Sequence, residues 1–202
     1  MAKQVVLFID AQNMYRGARD AFFSGNDSHV LGQFDPLKLG QLIATRRPFG
    51  DDDGPRILKE VRVYTGRPDS TRDPKTYGAH RRQCASWESN GVTVKPRTLR
   101  YPGNWPQQKA EEKGVDVAWA TDFVIMAVED HYDVGIIAST DTDLRPALEY
   151  VLTRPNLCAE VVGWSGRVHK ELRLPGRRVW CHRLTQADYN AVADHTDYNL
   201  KP

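Results

Sequence analysis

Short runs of apolar residues alternate along the chain with longer segments in which apolar residues recur at helical spacing. In the short runs the apolar residues are consecutive, which is typical of strands buried on both faces. Strands that alternate with helices predict an α/β fold, here a three-layer α/β/α sandwich with a mostly parallel central sheet. The predicted strands are 5–9, 57–64, 92–94, 134–138, 159–162 and a candidate sixth at 179–184; the predicted helices are 14–23, 36–43, 74–89, 115–128 and 143–152.

The chain has 202 residues, a length that suits one domain. We therefore predict one domain over residues 1–176, followed at 177–202 by a C-terminal strand and polar tail that pack on the domain or extend it. Within the domain, Asp35 followed by Pro36 is typical of an N-cap and the first turn of a helix. Residues 48–55, which include three consecutive aspartates, are predicted to form a loop.

Composition and charge narrow the class of protein. Charged residues make up 27% of the chain and the formal net charge is +2, too small to establish nucleic-acid binding but compatible with a basic rim around an acidic site. No apolar stretch approaches the roughly 18 residues of a membrane span, and the N-terminus lacks the layout of a signal peptide. The three cysteines lie far apart and form no CxxC pair, so we predict reduced thiols. The expected protein is soluble and cytoplasmic, without a membrane partner.

Polar residues at the carboxyl ends of the strands are the candidates for chemistry, because α/β proteins bind ligands there. Asp10 ends the first strand, and Asn13 lies where the next helix begins. Asp116 lies in the first turn of a helix that is apolar nearly all round and is therefore predicted to be buried, and Lys113 precedes it. Helix capping is the alternative role for both aspartates.

A third group follows the fourth predicted strand. Asp141 and Asp143 are two residues apart, and the hydroxyl side chains of Ser139 and Thr140 lie beside them in the sequence. Asp143 could cap the helix that follows, but one cap explains one aspartate and leaves Asp141 without a role.

If the strands that carry these groups are neighbours in the sheet, their carboxylates converge on one crevice. Carboxylates packed together repel and raise one another's pKa, a cost that a divalent cation relieves. Mg²⁺ and Mn²⁺ prefer oxygen ligands, usually a few carboxylates with water and substrate phosphate. We therefore predict a Mg²⁺ or Mn²⁺ site on Asp10, Asp116 and Asp141, of the kind that hydrolyses phosphodiesters.

Asp122 is a weaker candidate on the same helix as Asp116, about 120° around the helix and ~9 Å along it. A carboxylate in a buried helix needs a partner. Two interpretations stay open: an ion pair with Lys113 or with an arginine, or a supporting position beside the metal cluster.

These segments resemble the NYN family of bacterial LabA-like proteins, which belong to the PIN-like nucleases. The matching segments are VVLFIDAQNMY at 5–15, EKGVDVAWATD at 112–122 and YDVGIIASTDTDLRPALEYV at 132–151. The family pattern has an Asp and an Asn after the first strand, K-G-V-D at a helix start, and S-G-D-x-D-F after a later strand. Order and spacing match over about the first 165 residues, and the stretch after about residue 176 lies outside the resemblance.

The resemblance implies a metal-dependent ribonuclease. In such a site Asp10, Asp116, Asp141 and Asp143 would form the catalytic acidic cluster, and Asn13 would be the polar residue beside it.

Substrate contacts are predicted for Asn13, Lys113, Ser139 and Thr140, which surround the acidic residues in the sequence. The chain departs from the family pattern at Thr140, where glycine is common, and at Leu144, where phenylalanine is common. Thr140 adds bulk to a tight loop, which leaves its backbone geometry open, whereas Leu144 keeps an apolar anchor.

Basic and aromatic residues near these segments could track a phosphate backbone and stack single-stranded bases, or could form an ordinary surface and core. We predict RNA, single-stranded, as the partner, and homo-oligomerisation stays open. The residues concerned are Arg67, Arg72, Lys75, Arg81, Arg82, Lys109 and Lys113, with Tyr77, Trp87, Tyr101 and Trp105.

Two other functions compete with a ribonuclease. A non-catalytic RNA-binding or regulatory module could keep the same fold. A phosphatase of the haloacid dehalogenase type needs a second aspartate two residues after its nucleophile, where this chain has Gln12. The histidines, His80, His131 and His169 among them, show no metal-binding spacing, and the P-loop and GxSxG patterns are absent.

Overall fold

The computed structural model of this chain describes residues 2–46, 54–167 and 170–200, so most of the predicted loop at 48–55 and His169 lie outside the described residues. The described residues form a six-stranded sheet in which all neighbouring strands are parallel. The strands are β1 (Lys3–Asp10), β2 (Arg56–Arg67), β3 (Thr93–Thr98), β4 (Val134–Ala138), β5 (Cys158–Trp164) and β6 (Cys181–Leu184).

Helices cover both faces of the sheet, so the predicted α/β/α sandwich is confirmed. The helices are α1 (Ala11–Phe22), α2 (Pro36–Ala44), α3 (Pro74–Ser89), α4 (Val115–Val128), α5 (Arg145–Val151) and α6 (Gln186–Val192), with a 3₁₀ turn at Thr142–Leu144. The bounds of α3, α4 and β4 are those predicted from the sequence. Helix α1 begins three residues earlier than predicted, because Asp10 itself is its N-cap.

Strand β1 lies inside the sheet and separates two hydrophobic cores. Val5 and Leu7 belong to the core shared with α1 and α2, whereas Val6 and Phe8 belong to the core shared with α4 and α5. Successive side chains of a strand point to opposite faces, so a run of consecutive apolar residues fills both cores.

Helix α4 is buried on one side only, which corrects the prediction that it is buried all round. Trp119 and Phe123 face the core and are almost fully buried. Val117, Ile125 and Val128 lie on the outer face and are 69%, 47% and 46% exposed. A helix in the outer layer of a sandwich buries one stripe, whatever its composition.

The strand order is β3-β2-β1-β4-β5-β6. The chain winds from β1 to β3 towards one edge and from β4 to β6 towards the other, so the winding reverses between β1 and β4. In open α/β sheets such a reversal opens a crevice outside the carboxyl ends of the strands, where ligands bind. Asp10 is the last residue of β1 and Ser139 follows β4, so both lie at this crevice.

The C-terminal stretch contains a helix, α6, where the sequence predicted a polar tail. Thr185 and Asp188 form a capping box at its start, a pattern that the sequence already displays. The chain then returns to α3, where the Arg82 guanidinium Nε donates to the Tyr198 carbonyl oxygen at 2.9 Å.

The three cysteines are free, in agreement with the predicted thiols. Over the described parts of the chain, no helix has both the length and the apolar content of a membrane span.

Candidate active site

Asp10 is a buried carboxylate with 6% of its surface exposed. Its Oδ1 accepts the backbone N–H of Asn13 at 2.9 Å, so the capping role left open by the sequence is present. Burial, together with repulsion from Glu112, Asp116 and Asp141, raises the pKa of Asp10 to about 7, against the lowering effect of the Asn13 hydrogen bond. Asp10 is therefore a cap whose charge is costly in its surroundings.

Ser139 connects Asp10 to Asp141. Its hydroxyl donates to Asp10 Oδ2 over a long 3.5 Å and accepts the backbone N–H of Asp141 at 3.1 Å. Asp141 Oδ1 accepts the N–H of Asp143 at 2.9 Å, so Asp141, and not Asp143, caps the helical turn that follows. Ser139 is fully buried, and the predicted contact between Ser139 and substrate is therefore wrong. Its role is to position the two aspartates.

Asn13 joins the loop after β1 to the loop after β4. Its Oδ1 accepts the backbone N–H of Thr140 at 3.0 Å and the Thr140 hydroxyl at 3.1 Å. Among the residues with described backbones, the non-glycine residue with positive φ is Asp130, so Thr140 adopts an ordinary conformation in place of the family's glycine.

Asp116 is not needed as a helix cap. Gly114 is the N-cap of α4, in a left-handed conformation with φ of 77°, and makes no side-chain capping bond. Partial burial, followed by repulsion from Asp141 and Asp143, raises the pKa of Asp116. Asp116 and Asp141, which come from separate segments of the chain, thus lie within each other's electrostatic field.

Glu112 belongs to the site although the sequence reasoning did not single it out. Its Oε1 accepts the backbone N–H of Gly66 at 2.8 Å, which places the carboxylate beside the end of β2. Partial desolvation raises the pKa of Glu112, and Asp116 adds to the effect. A Cβ at Gly66 would lie 2.4 Å from Leu99 Cδ2 and 2.7 Å from Glu112 Oε1, so a larger residue there would displace both side chains. The sequence feature that could have identified Glu112 is its position as the first residue of the EKGVD segment, which ends at Asp116.

These side chains line one cavity of about 270 Å³, here called the acidic cavity. Its carboxylates outnumber its cations, so it carries an excess of negative charge when they ionise. The carboxylates are Asp10, Asp20, Glu112, Asp116 and Asp141, and the other polar or charged residues of the lining are Gln12, Asn13, Arg16, Thr140, Lys170 and the indole-bearing Trp164.

The sequence matches the family model of the NYN domain over residues 4–173. The chain belongs to the NYN family. This family lies within the PIN-like nuclease superfamily, and the whole acidic cavity falls inside the matched residues. The resemblance inferred from the sequence is therefore confirmed.

One solved structure has a similar fold. A protein of unknown function from Vibrio parahaemolyticus RIMD 2210633 is 22% identical, with a TM-score of 0.51 over 80% of this chain and 82% of that chain. At this identity the likeness concerns the fold alone. No curated protein matches the chain.

Four predicted residues do not line the acidic cavity of this NYN domain. Ser139 is buried behind it, Asp143 and Lys113 are exposed outside its lining, and Asp122 lies elsewhere on α4. Asp122 Oδ2 accepts hydrogen bonds from Arg62 Nη2 and from the Tyr64 hydroxyl, each at 2.8 Å. Of the two interpretations of Asp122, the ion pair with an arginine is the one observed, and Lys113 is not the partner.

The acidic cavity is a loose cluster of carboxylates instead of a preformed metal cage. Within residues 2–46, 54–167 and 170–200, no three His, Cys, Asp or Glu side chains are arranged to hold a metal ion by themselves. Mg²⁺ usually binds proteins through one or two carboxylates and completes its shell with waters and substrate phosphate, so a cage of protein ligands is not required for it.

Proposed function

We propose that this NYN domain is a metal-dependent ribonuclease that hydrolyses phosphodiester bonds of single-stranded RNA. The main support is the convergence of Asp10, Asp116 and Asp141 at the switch point of the sheet. Burial and mutual repulsion make the charge on Asp10 costly there, with a pKa of about 7. Membership of a family of PIN-like nucleases makes phosphodiester hydrolysis the chemistry that best uses such a cluster.

The donor set of the cavity fits a hard divalent cation, Mg²⁺ or Mn²⁺. Carboxylate oxygens are the ligands that both ions prefer. The hydrogen bonds to Asp10 come from a backbone N–H and a hydroxyl group, which are neutral, so an adjacent cation would relieve its buried charge. Asp10, Asp116 and Asp141 would hold the ion through direct or water-mediated contacts, with Glu112 beside them.

A bound cation would activate water and neutralise charge on the phosphate in the transition state. The residues of the chain arrange the site for that chemistry. Ser139 fixes Asp10 relative to Asp141, so that two carboxylates from different strands keep a constant spacing. Arg16 and Lys170 line the same cavity and would attract the phosphate backbone of RNA.

The test is cleavage of a fluorescently labelled single-stranded RNA by the purified protein in Mg²⁺, Mn²⁺ or EDTA. We expect cleavage that needs the metal, and a rate about 100-fold or more lower for Asp141→Asn, which corresponds to about 3 kcal/mol of transition-state stabilisation. Asp141→Asn keeps the capping oxygen, so its circular dichroism and melting temperature should not fall. Glu149→Gln, an exposed acid on α5 with the same change of charge, is the matched control and should cleave normally.

Wild-type protein that binds RNA without metal-dependent cleavage would identify a non-catalytic RNA-binding module instead. An Asp141→Asn variant that unfolds would show that Asp141 serves the fold as a cap. The phosphatase alternative finds no support in the cavity, since its second acid would have to stand at Gln12.

A further inference from the structure

A second cavity of about 400 Å³ opens beside the acidic cavity, and nothing in the proposed hydrolysis uses it. It lies between α1, α3 and the carboxyl ends of β2 and β3. Tyr15, Phe34 and Trp87 provide aromatic walls, and the amide side chains of Gln33 and Gln83 also line it. We call it the aromatic cavity.

The aromatic cavity and the acidic cavity adjoin each other. Gln12 lines both of them. Ala11 of the aromatic cavity follows Asp10 of the acidic cavity in the chain. Gly66, in the lining of the aromatic cavity, donates its N–H to Glu112 of the acidic cavity at 2.8 Å. The two cavities are therefore close enough for one extended ligand to contact both.

The two cavities differ in charge. Among the described residues that line the aromatic cavity there is no Asp, Glu, Lys or Arg. Burial lowers the pKa of His80, which also lines it, to about 4, so this imidazole is neutral near pH 7. A metal ion or a phosphate finds no acidic, lysine or arginine side chain in this described lining, and the second lining imidazole, His29, faces Asp197 at 3.1 Å. The cavity suits a flat, uncharged group with a polar edge.

Two amide side chains in the aromatic cavity are hydrogen-bonded to each other. Gln83 Nε2 donates to Gln33 Oε1 at 3.1 Å. In the part of the chain that the structure describes, the Gln83 carbonyl oxygen and the Gln33 amide N–H groups have no other protein partner, so the pair still offers an acceptor and donors. Nucleobases carry donors and acceptors next to each other on their edges, and amide side chains are common partners for them.

We propose that the aromatic cavity binds one unpaired nucleobase of the RNA strand whose phosphate lies at the acidic cavity. This inference rests on the proposed ribonuclease function. Aromatic rings stack on bases of any identity, and the amides contact the base edge. A base held here fixes which phosphate lies over the carboxylates. It also selects single-stranded RNA, because the bases of a duplex are stacked and paired inside the helix.

Free nucleoside 5′-monophosphates test the cavity without any need for cleavage. Trp87 lines the aromatic cavity and Trp164 lines the acidic cavity, so their indole N–H resonances in NMR spectra report on the two cavities separately. We expect a nucleoside monophosphate to shift the Trp87 resonance, and ribose 5-phosphate, which lacks the base, to leave it in place. Equal shifts with ribose 5-phosphate, or no shift with any of the four nucleotides, would overturn the proposal.

A filled cavity gives the second test. Thr76 is exposed on α3 and lines the cavity, so Thr76→Trp should occupy it, and Ala79→Leu fills it with a smaller side chain. Ala85→Trp is the control, since Ala85 is exposed on the same helix outside the lining. RNA affinity is measured in an Asp141→Asn background with intact strands and with strands carrying one abasic nucleotide at successive positions.

One abasic position should weaken binding about 10-fold for the parent and for Ala85→Trp. Thr76→Trp should bind intact RNA about 10-fold more weakly and be insensitive to that position. Metal-dependent cleavage, together with an unchanged abasic profile in Thr76→Trp and Ala79→Leu, would contradict the base site and still support the ribonuclease function. Base-dependent shifts of the Trp87 resonance in a protein that cleaves no RNA would support the base site and contradict the ribonuclease function.

Discussion

The acidic cavity and the aromatic cavity share Gln12, yet opposite kinds of side chain line them. In the acidic cavity the fold brings together carboxylates that repel one another. Burial, with repulsion from its neighbours as a smaller cause, raises the pKa of the most buried of them, Asp10, to about 7. In the aromatic cavity the rings belong to the core or its edge and the amides bond to each other. One region holds an unfavourable arrangement of charges, while the other is free of charged side chains and keeps polar groups, among them the buried Trp87 indole N–H, without a partner in the described part of the chain.

The difference in charge between the two cavities indicates whether each contributes to RNA cleavage or to RNA binding. A cluster of like charges is kept in a fold when something binds to it, and its stability cost is offset only by that ligand. Rings and paired amides cost little to keep, so their contribution is contact area and orientation. Substitutions in the acidic cavity should therefore lower the rate of RNA cleavage while keeping or raising the stability of the fold. Substitutions in the aromatic cavity should weaken RNA binding.

The largest expected effect is a loss of cleavage rate without a loss of RNA affinity. Asp116→Asn should lower kcat about 100-fold or more, because a ligand of the cation is weakened, while changing the RNA Kd little. Thr76→Trp should instead raise KM about 10-fold and lower kcat far less, because it removes contact with a base away from the reacting phosphate. Steady-state and single-turnover kinetics with the same single-stranded RNA measure both. If the two variants lose kcat and affinity in the same proportion, the division between the cavities is wrong.

The fold and the aspartates of the acidic cavity could be predicted from the sequence because both depend on local pattern. The consecutive apolar residues of β1 and β4 require strands buried on both faces, and the residues at the carboxyl ends of such strands in a parallel sheet lie at the ligand-binding edge. Asp10 ends β1 and Asp141 lies in the loop that follows β4, so both were expected at this edge. Asp116 followed from its place at the start of the mostly apolar helix α4.

Other parts of the site depend on contacts that local pattern does not encode. Glu112 lies in an irregular segment and reaches the cavity because Gly66, 46 residues away in the chain, donates to it. A substrate contact was predicted for Ser139 because it precedes Asp141 and Asp143 in the sequence, but its burial depends on how β4 lies beside β1. The aromatic cavity combines α1, α3 and Tyr198 of the C-terminal stretch, which the sequence reasoning had set aside as a tail.

The next prediction concerns the stability cost of the acidic cavity. Asp10→Asn should stabilise the metal-free protein at pH 8 and have little effect at pH 4. The pKa of Asp10 is about 7 in the folded state and 3.8 in the ordinary, exposed state, so the unfolded chain ionises first as pH rises. The stability that protonated Asp10 contributes is complete below about pH 4, falls between about pH 4 and pH 7, and is lost above. Asn cannot ionise and keeps an oxygen for the cap.

Urea denaturation in EDTA at pH 4 and pH 8 measures this effect. We expect the free energy of unfolding of Asp10→Asn to exceed that of the wild type by about 2–4 kcal/mol at pH 8. Asp20→Asn is the control, since Asp20 lines the same cavity but its side chain is 55% exposed. Mg²⁺ should shrink the difference, because the ion stabilises the wild type more than the variant. A gain of equal size at both pH values would mean that ionisation of Asp10 is not the cause.

The smallest expected effect concerns Lys113, which lies beside the acidic cavity and not in its lining. An ion pair between Lys113 and Asp122 would have made it a structural residue, but Asp122 binds Arg62 and Tyr64. Lys113 is exposed, so Lys113→Ala should change the free energy of unfolding by no more than about 0.5 kcal/mol. If its charge contacts a phosphate of single-stranded RNA, the slope of log K against log salt should become shallower by about 0.7.

Arg62→Ala is the matched control, because it also removes one positive charge but from a partly buried network. Its loss leaves Asp122 and the Tyr64 hydroxyl without their shared donor, so we expect a lower melting temperature and a destabilisation of about 1–3 kcal/mol. The salt slope should be unchanged, since Tyr64 and Asp122 line a cavity other than the acidic cavity. Salt titrations and thermal melts of both variants therefore show whether Lys113 and Arg62 each contribute to RNA binding or to the stability of the fold. A normal salt slope in Lys113→Ala would remove Lys113 from the RNA-binding surface and confine phosphate contacts to Arg16 and Lys170.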